Sequence, residues 1–272
     1  MSRDERLTAI LDLLGRAERV EVEEIVRTFG VSPATARRDL DALASRRLVN
    51  RTRGGATAHT VAYDLPLRYK RAQHARAKEA IAEAVMELIR PGSRIGLTGG
   101  STCTAIASAL GQHPDLAADG GEPALTVVTN AVNIAAQLLI RPNLRVVITG
   151  GVIQPRSYEL VGPYSDLMLE RVNLDLAFIG INGLHPTRGA MVHDDAEAQV
   201  NGLMARRADE AWLVADSSKV NARAFATVGP VDEFAGLITD EGITDADRQA
   251  LMHAGLEVIV AGIAGPGQDS AG

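Results

Sequence analysis

Residues 30–48 read "GVSPATARRDLDALASRRL", and the order of residue types in this stretch decides how the front of the chain folds. Gly30 is free to take positive φ, Ser32 carries a hydroxyl that can cap a helix, and Pro33 suits a first helical turn, where its missing N–H costs nothing. A helix is therefore expected from Pro33. Its inward face is Ala36, Leu40 and Leu43, which leaves Ala34, Thr35, Arg37, Arg38 and Asp41 on or beside the outer face. Arginines in the first two turns of an exposed helix reach guanine edges or phosphates, and a threonine there hydrogen-bonds or touches a thymine methyl.

The flanks fit this reading. Upstream, Leu7, Ile10, Leu11 and Leu14 recur at spacings of three and four, which predicts an amphipathic helix over 2–14 with Gly15 as its stop. Val22, Ile25, Val26 and Phe29 mark a second, shorter helix closed by Gly30. Helix, glycine-containing turn and polar second helix is the helix-turn-helix pattern, whose second helix lies in the major groove. Downstream, "LVNRTRGGATA" (48–58) alternates and then breaks at Gly54–Gly55, which predicts two short strands around a basic turn, with Arg51 and Arg53 forming a wing against the DNA backbone or minor groove. Arginines on a helix often do no more than solvate it. Here cap, turn glycine, spacing and basic hairpin agree, and DNA binding accounts for all four.

"VEEIVRTFGVSPATARRDLDAL" (22–43) and "RTRGGA" (51–56) together resemble the N-terminal winged helix-turn-helix of the DeoR/GlpR family of bacterial transcriptional regulators. Val31, Ser32, Thr35, Arg37, Arg38, Asp39, Leu40, Gly54, Gly55 and Ala56 carry the match. The chain departs from the family pattern at Arg47, where a glycine is usual, and at Arg53, where a histidine is usual. The expected contacts to double-stranded operator DNA are Ser32, Ala34, Thr35, Arg37, Arg38, Arg51 and Arg53.

Charge is divided unevenly along the 272 residues. Residues 1–78 hold 16 Lys+Arg against 10 Asp+Glu, a balance of +6; the whole chain is −6, so the remainder carries −12. A basic front and an acidic back meet different partners, with a polyanion fitting the first. No run of about 18 apolar residues could span a bilayer, and no charged, apolar and then small-residue leader opens the chain; a cytoplasmic protein without membrane contact is expected. A single cysteine, Cys103, rules out an internal disulfide and argues against a thiolate metal site. Neither a metal nor a cofactor is expected.

Past Thr57 the pattern lapses. "DLPLRYKRAQHARAKEAIAEAVMELIRPGSRIGL" (64–97) then opens a long helix with Ala77, Ile81, Val85, Leu88 and Ile89 on one stripe, ending at Pro91–Gly92. Its basic face (Arg68, Lys70, Arg71, Arg76, Lys78) either approaches DNA or is solvated; solvation is the simpler reading. Beyond residue 92, apolar runs at 95–97, 125–129, 146–148, 177–181, 211–215, 236–239 and 257–260 alternate with helical stretches near 102–110, 133–139, 197–208 and 246–253. Nearly all-apolar strands separated by helices predict a mostly parallel, doubly wound sheet, with ligands at the carboxyl ends of the strands. The expected organisation is a mainly α winged helix-turn-helix domain over 1–58, a linker and the start of a connecting helix over 59–76, an α/β domain over 77–263, and a flexible tail over 264–272.

Polar loops follow those strand ends: "LTGGSTCTA" (97–105), "TNAVNIA" (129–135), "TGGVI" (149–153), "GINGL" (180–184) and "ADSSK" (215–219). A glycine turn that opens a helix is a natural anion site, although small residues also allow close helix–strand packing. Lys219 favours the anion. The chain has only three lysines (Lys70, Lys78, Lys219), and this one follows Asp216-Ser217-Ser218 at a strand end. Aromatic content of 3% argues against a stacking site for nucleobases, so a small, polar, anionic ligand is expected, a phosphorylated sugar or polyol.

The family resemblance continues through residues 68–242. "GSTCTAIASAL", "VVTNAVNIA", "VITGGVI", "LVGP", "DLAFIGINGL", "HDDAEAQV" and "ADSSKVNARAFATVGPVDEFAGLITDEGI" look in order like the DeoR-type effector domain, similar in fold to ribose-5-phosphate isomerase. The resemblance implies that Gly100, Ser101 and Thr102 match the phosphate loop and that Asp216 and Lys219 line the same pocket. Thr98 and Gly99 replace a usual Asp-Ser pair, so the acceptor carboxylate for the sugar end is missing there. Thr98, Gly100, Ser101, Thr102, Asn130, Asp216 and Lys219 are the expected effector contacts. Three functions compete. The first is a regulator, most often a repressor in this family, acting on carbohydrate genes as at least a dimer. The second is a sugar-phosphate isomerase carrying an accessory DNA-binding head, with Asp194, Asp195, Glu197 or Asp216 as its base. The third is a winged helix that binds protein.

Overall fold

The computed structural model describes residues 3–17, 19–45, 48–58, 67, 73–113 and 123–262. It forms two compact units that divide between Gln73 and His74. The proposed tail and most of the basic segment, including Arg68, Lys70 and Arg71, lie outside the described residues.

The first unit comprises α1 (Arg3–Ala17), β1 (Arg19–Glu21), α2 (Val22–Phe29), α3 (Pro33–Ser45), β2 (Val49–Arg51) and β3 (Gly55–Ala58). Leu7, Ile10, Leu11 and Leu14 from α1 meet Ile25 of α2 and Ala36, Leu40 and Leu43 of α3 in one buried cluster. Each such aliphatic side chain removed from water contributes about 1.5–3 kcal/mol. Gly15 does not end α1, which continues to Ala17. An interior glycine costs only about 1 kcal/mol relative to alanine, less than the packing of the apolar stripe supplies. Gly30 does close α2, in the left-handed region at φ 64°, with its N–H on the Val26 carbonyl. The Ser32 hydroxyl then accepts the Thr35 N–H at 3.2 Å and opens α3. The expected hairpin of β2 and β3 is present, but β1 joins it to give the antiparallel order β1-β3-β2. A three-residue strand is too short for period-two alternation to announce itself.

The second unit contains α4 (Ala75–Met86), β4 (Arg94–Leu97), α5 (Ser101–Leu110), β5 (Leu125–Thr129), α6 (Val132–Leu138), β6 (Leu144–Ile148), β7 (Val152–Ile153), β8 (Leu160–Val161), α7 (Pro163–Leu169) and β9 (Leu174–Gly180). It continues with β10 (Gly183–His185), β11 (Gly189–Val192), α8 (Asp195–Arg206), β12 (Ala208–Val214), β13 (Ala226–Gly229), β14 (Gly236–Asp240), α9 (Asp245–His253) and β15 (Glu257–Ala261). The connecting helix ends at Met86, earlier than expected. Leu88 and Ile89 donate to Val85 and Met86 in tighter turns, and Arg90 precedes a proline, which disfavours helical backbone.

Seven strands form one sheet in the order β15-β14-β12-β9-β4-β5-β6, and every pairing in it is parallel. Alternate side chains feed two apolar layers. Phe178, Trp212, Val214 and Ile238 point to the face covered by α4, α5 and α6. Ala177, Ile179, Leu213 and Leu237 point to the face covered by α7, α8 and α9. The order also locates a crossover. The chain lays β5 and β6 on one side of β4 and then places β9 on its other side, so the carboxyl ends of β4 and β9 flank the switch point where open α/β sheets bind ligands. The β7–β8 hairpin and the antiparallel sheet β10-β11-β13 are additions that the alternating pattern did not indicate. Among the described residues no helix is long and apolar enough to cross a membrane.

Candidate functional site

On α3, Ser32, Ala34, Arg37 and Arg38 are exposed and Thr35 is half-buried, while Ala36, Leu40 and Leu43 face the core. Ser32 and Thr35 share a hydroxyl contact of 3.0 Å, and the Arg38 Nε–H donates to the Ala34 carbonyl at 3.4 Å. Arg53 stands exposed at the hairpin tip. Arg51 is tied down instead. Its Nε–H donates to Asp41 at 2.8 Å and its Nη1 to the Gly55 carbonyl, so its first task is to lock the hairpin against α3. Asp39, beside the two arginines, is buried and accepts from Arg6 Nε at 2.6 Å.

In the second unit the Gly99–Thr102 loop leaves β4 at the switch point. Gly100 has φ 107°, a conformation closed to ordinary side chains, and its carbonyl accepts from both the Thr104 N–H and the Thr104 hydroxyl. Ser101 is half-buried and Thr102 buried at the start of α5. Thr98 is fully buried, and its hydroxyl accepts the Gly180 N–H at 2.8 Å. That bond joins the ends of β4 and β9 and gives Thr98 a part in shaping the loop.

Asn130, at the end of β5, is also fully buried. Its amide donates to Glu159 Oε2 at 3.0 Å and to Asn201 Oδ1 at 3.3 Å, while its own Oδ1 has no hydrogen-bond partner among the described residues. Glu159, delivered by the β7–β8 hairpin, sits directly over Gly99: a Cβ there would fall 2.3–2.5 Å from the Glu159 Cγ, Cδ and Oε1 atoms. Burial, together with the charge of Glu197, pushes the Glu159 carboxyl up to about 8, against hydrogen bonding from Asn130 and Asn201. The loop therefore has a carboxyl group above it after all.

Asp216 and Lys219 lie at the end of β12, separated from β4 by β9 alone. Two interstrand spacings place these ends roughly 10 Å apart. Asp216 is buried and accepts from the Ser218 N–H and hydroxyl. Burial alone would raise its carboxyl, but the Lys219 ammonium, the Ser218 hydroxyl and the charges of His74 and Lys78 outweigh it and hold the group below the usual carboxylate range.

Residues 6–61 match the DeoR-like helix-turn-helix domain, and residues 73–241 match the DeoR C-terminal sensor domain. The chain belongs to the DeoR family. The HTH-type transcriptional regulator GlpR of Haloferax volcanii is 34% identical over 94% of this chain and 96% of its own. The putative aga operon transcriptional repressor of Escherichia coli O157:H7 is 30% identical over 95% of this chain and 94% of its own. The glycerol-3-phosphate regulon repressor of Escherichia coli K12 is 29% identical over 88% and 92%. Ribose 5-phosphate isomerase A from Neisseria gonorrhoeae superposes with a TM-score of 0.38 at 17% identity, over 54% of this chain and 53% of that one, a likeness too slight to argue from. DeoR proteins pair a DNA-binding head with a sensor, and this member is a regulator, not an isomerase with an accessory head. Asp194, one of the candidate bases, accepts the Ala196 and Glu197 N–H groups, each at 3.0 Å, and caps α8.

Within this DeoR sensor unit the sequence did not single out Glu159, Asn201 or His74, and it offered Glu197 only as a candidate base. Lys78 was placed on a solvated face, yet it is buried. Its spacing carried the correction: Lys78, Ile81, Ala82 and Val85 recur at helical intervals, and all four are buried. Arg76, two residues earlier, is exposed as expected. Glu159 had no such signal, because its position depends on a hairpin that no periodicity marks.

Proposed function

We propose that the protein is a transcriptional repressor of carbohydrate metabolism genes whose operator affinity changes when a phosphorylated sugar or polyol occupies the carboxyl edge of the seven-stranded sheet. The observation that carries this reading is the Gly99–Thr102 loop at the β4/β9 switch point, in the same chain as an exposed helix bearing Arg37 and Arg38. Gly100, Ser101 and Thr102 take the phosphate at the amino end of α5. Lys219 and Asp216 address the far end of the ligand. Ser32, Ala34, Thr35, Arg37, Arg38 and Arg53 meet operator DNA, with Arg51 supporting the wing. The names of the relatives, a glycerol-3-phosphate regulon repressor among them, point to the same chemistry.

The ligand acts only through unequal affinity for DNA-competent and DNA-incompetent arrangements, for which a coupling of about 1–3 kcal/mol is typical. One winged helix covers one half-site, so the working form is at least a dimer. Leu139, Ile140, Ile148, Val152, Ile153, Tyr164 and Leu167 are exposed, and several of them surround the edge strand β6, a surface suited to self-association.

A thermal-shift screen of phosphorylated sugars and polyols, followed by DNA binding with each hit, tests the sensor. Substituting Arg37→Ala and Arg38→Ala tests the head. If neither weakens binding to DNA upstream of the coding gene at moderate salt, the α3 assignment fails and the protein-binding winged helix takes its place.

A further inference from the structure

Beside the base-reading face of α3 lies an open concavity of about 270 Å³, lined by Arg3, Arg6, Thr35, Arg38 and Asp39. Arg3 and Arg6 stand one turn apart on α1, and both present Nε to the Asp39 carboxylate, at 3.6 and 2.6 Å. Arg38 enters from α3, and Thr35 lies one turn before Asp39 on the same helix. Three arginines and one buried acid thus line the concavity, a balance of two positive charges among its lining residues. Like charges gathered at one surface repel one another. A carboxylate with roughly four lone-pair sites also cannot absorb the N–H groups of several arginines. An anion from outside that meets several guanidinium forks at once, as a phosphodiester does, would satisfy them.

Asp39 explains how α1 contributes. It anchors Arg6, whose side chain is 13% exposed, and orients Arg3, whose side chain is 60% exposed, toward the rim shared with Thr35 and Arg38. We propose that this concavity seats a backbone phosphate of duplex DNA next to the base-reading positions, so that Arg3 and Arg6 of α1 join Arg38 as phosphate-contacting residues. This rests on the DNA-binding reading above. A phosphate so held fixes the register of α3 in the groove without reading sequence.

The test measures the affinity of the full chain for two duplexes of equal length, one from upstream of its coding gene and one unrelated, across a series of KCl concentrations. Arg3→Gln is the first variant, because its exposed side chain can be changed without unpacking α1; Arg38→Gln is the second, and melting temperatures check both folds. Each variant is expected to weaken both duplexes by the same factor, roughly 2- to 5-fold, and to reduce the slope of log K against log[KCl] by about 0.9 per bound subunit. Unchanged affinity and slope in both variants overturn the phosphate seat while leaving the DNA-binding reading intact. Weakening confined to the upstream duplex also overturns it, since that marks a base reader. So does an unchanged slope accompanied by lost competition from inorganic phosphate at fixed ionic strength, which marks a seat for a free anion. Wild-type protein that binds neither duplex refutes the DNA-binding reading itself.

Discussion

The carboxyl group of Glu159 lies over Gly99, so close that a single added methyl carbon would come within 2.3 Å of the Glu159 Cγ atom. The loop between β4 and α5 and the β7–β8 hairpin are thereby fitted to each other through one glycine. Gly99→Ala is expected to destabilise the sensor unit by about 1–3 kcal/mol, the usual cost of overpacking. The double variant Gly99→Ala/Glu159→Ala is expected to recover part of that loss. Urea denaturation of the two single variants and the double variant measures the coupling, and strictly additive losses would show that the two side chains do not oppose each other.

Glu159 also makes stability depend on pH. Its carboxyl is pushed up from an ordinary 4.5 to about 8, by burial first and by Glu197 second. Between those values the folded state holds a proton that the unfolded state has released, so this group's contribution is intact below about pH 4.5 and is lost as pH rises through about 8. Glu159→Gln keeps an uncharged group in place. The stability difference between variant and wild type is expected to grow in the variant's favour from pH 5 to pH 8, by at most about 1.4 kcal/mol per pH unit. Thermal unfolding across that range measures it, and parallel curves would refute the account.

Asp39 links α1 to α3 through Arg6 at 2.6 Å. Asp39→Asn weakens this bond and leaves a buried amide facing two guanidinium groups. Loss of a hydrogen bond to a charged partner predicts destabilisation of the winged-helix unit by about 1.5–3 kcal/mol. Arg3→Gln, at the exposed rim, is expected to cost less than about 1 kcal/mol. Chemical denaturation of both variants checks the order; equal losses would show that Asp39 does not organise the pair.

Lys219 is the half-buried cation beside Asp216. Lys219→Ala is expected to leave DNA affinity unchanged and to abolish the effect of any sugar phosphate found by the thermal screen. Gel-shift titration with and without that compound separates the two. An equal response in wild type and variant would remove Lys219 from the pocket.

The helical stripes of the head and the apolar strands of the sheet were legible because each is local and periodic: Leu7, Ile10, Leu11 and Leu14 announce α1, and Val127 and Val128 announce β5. The turn at Gly99 and Gly100 was legible for a different reason, since paired glycines between a strand and a helix mark a break. What escaped depends on contacts distant in sequence. Asp39 reads only as part of the family pattern until α1 is packed against it, and Glu159 draws no notice until a two-residue strand pair turns it over Gly99. Thr98 carries a further role that the sequence did not announce: beside the glycine loop its hydroxyl accepts the Gly180 N–H and ties β4 to β9.

That last bond has a kinetic meaning. Thr98 and Gly180 are 82 residues apart, and the ion pair of Arg94 with Asp175 spans nearly the same distance. Contacts of such separation form late, because closing the intervening loop must come first. A nascent chain can lay β4, β5 and β6 side by side from local segments long before β9 arrives. Only when β9 docks do the Thr98 hydroxyl and the Gly180 N–H meet, so the turn at Gly99 and Gly100 takes its final shape through a contact that no local segment can make.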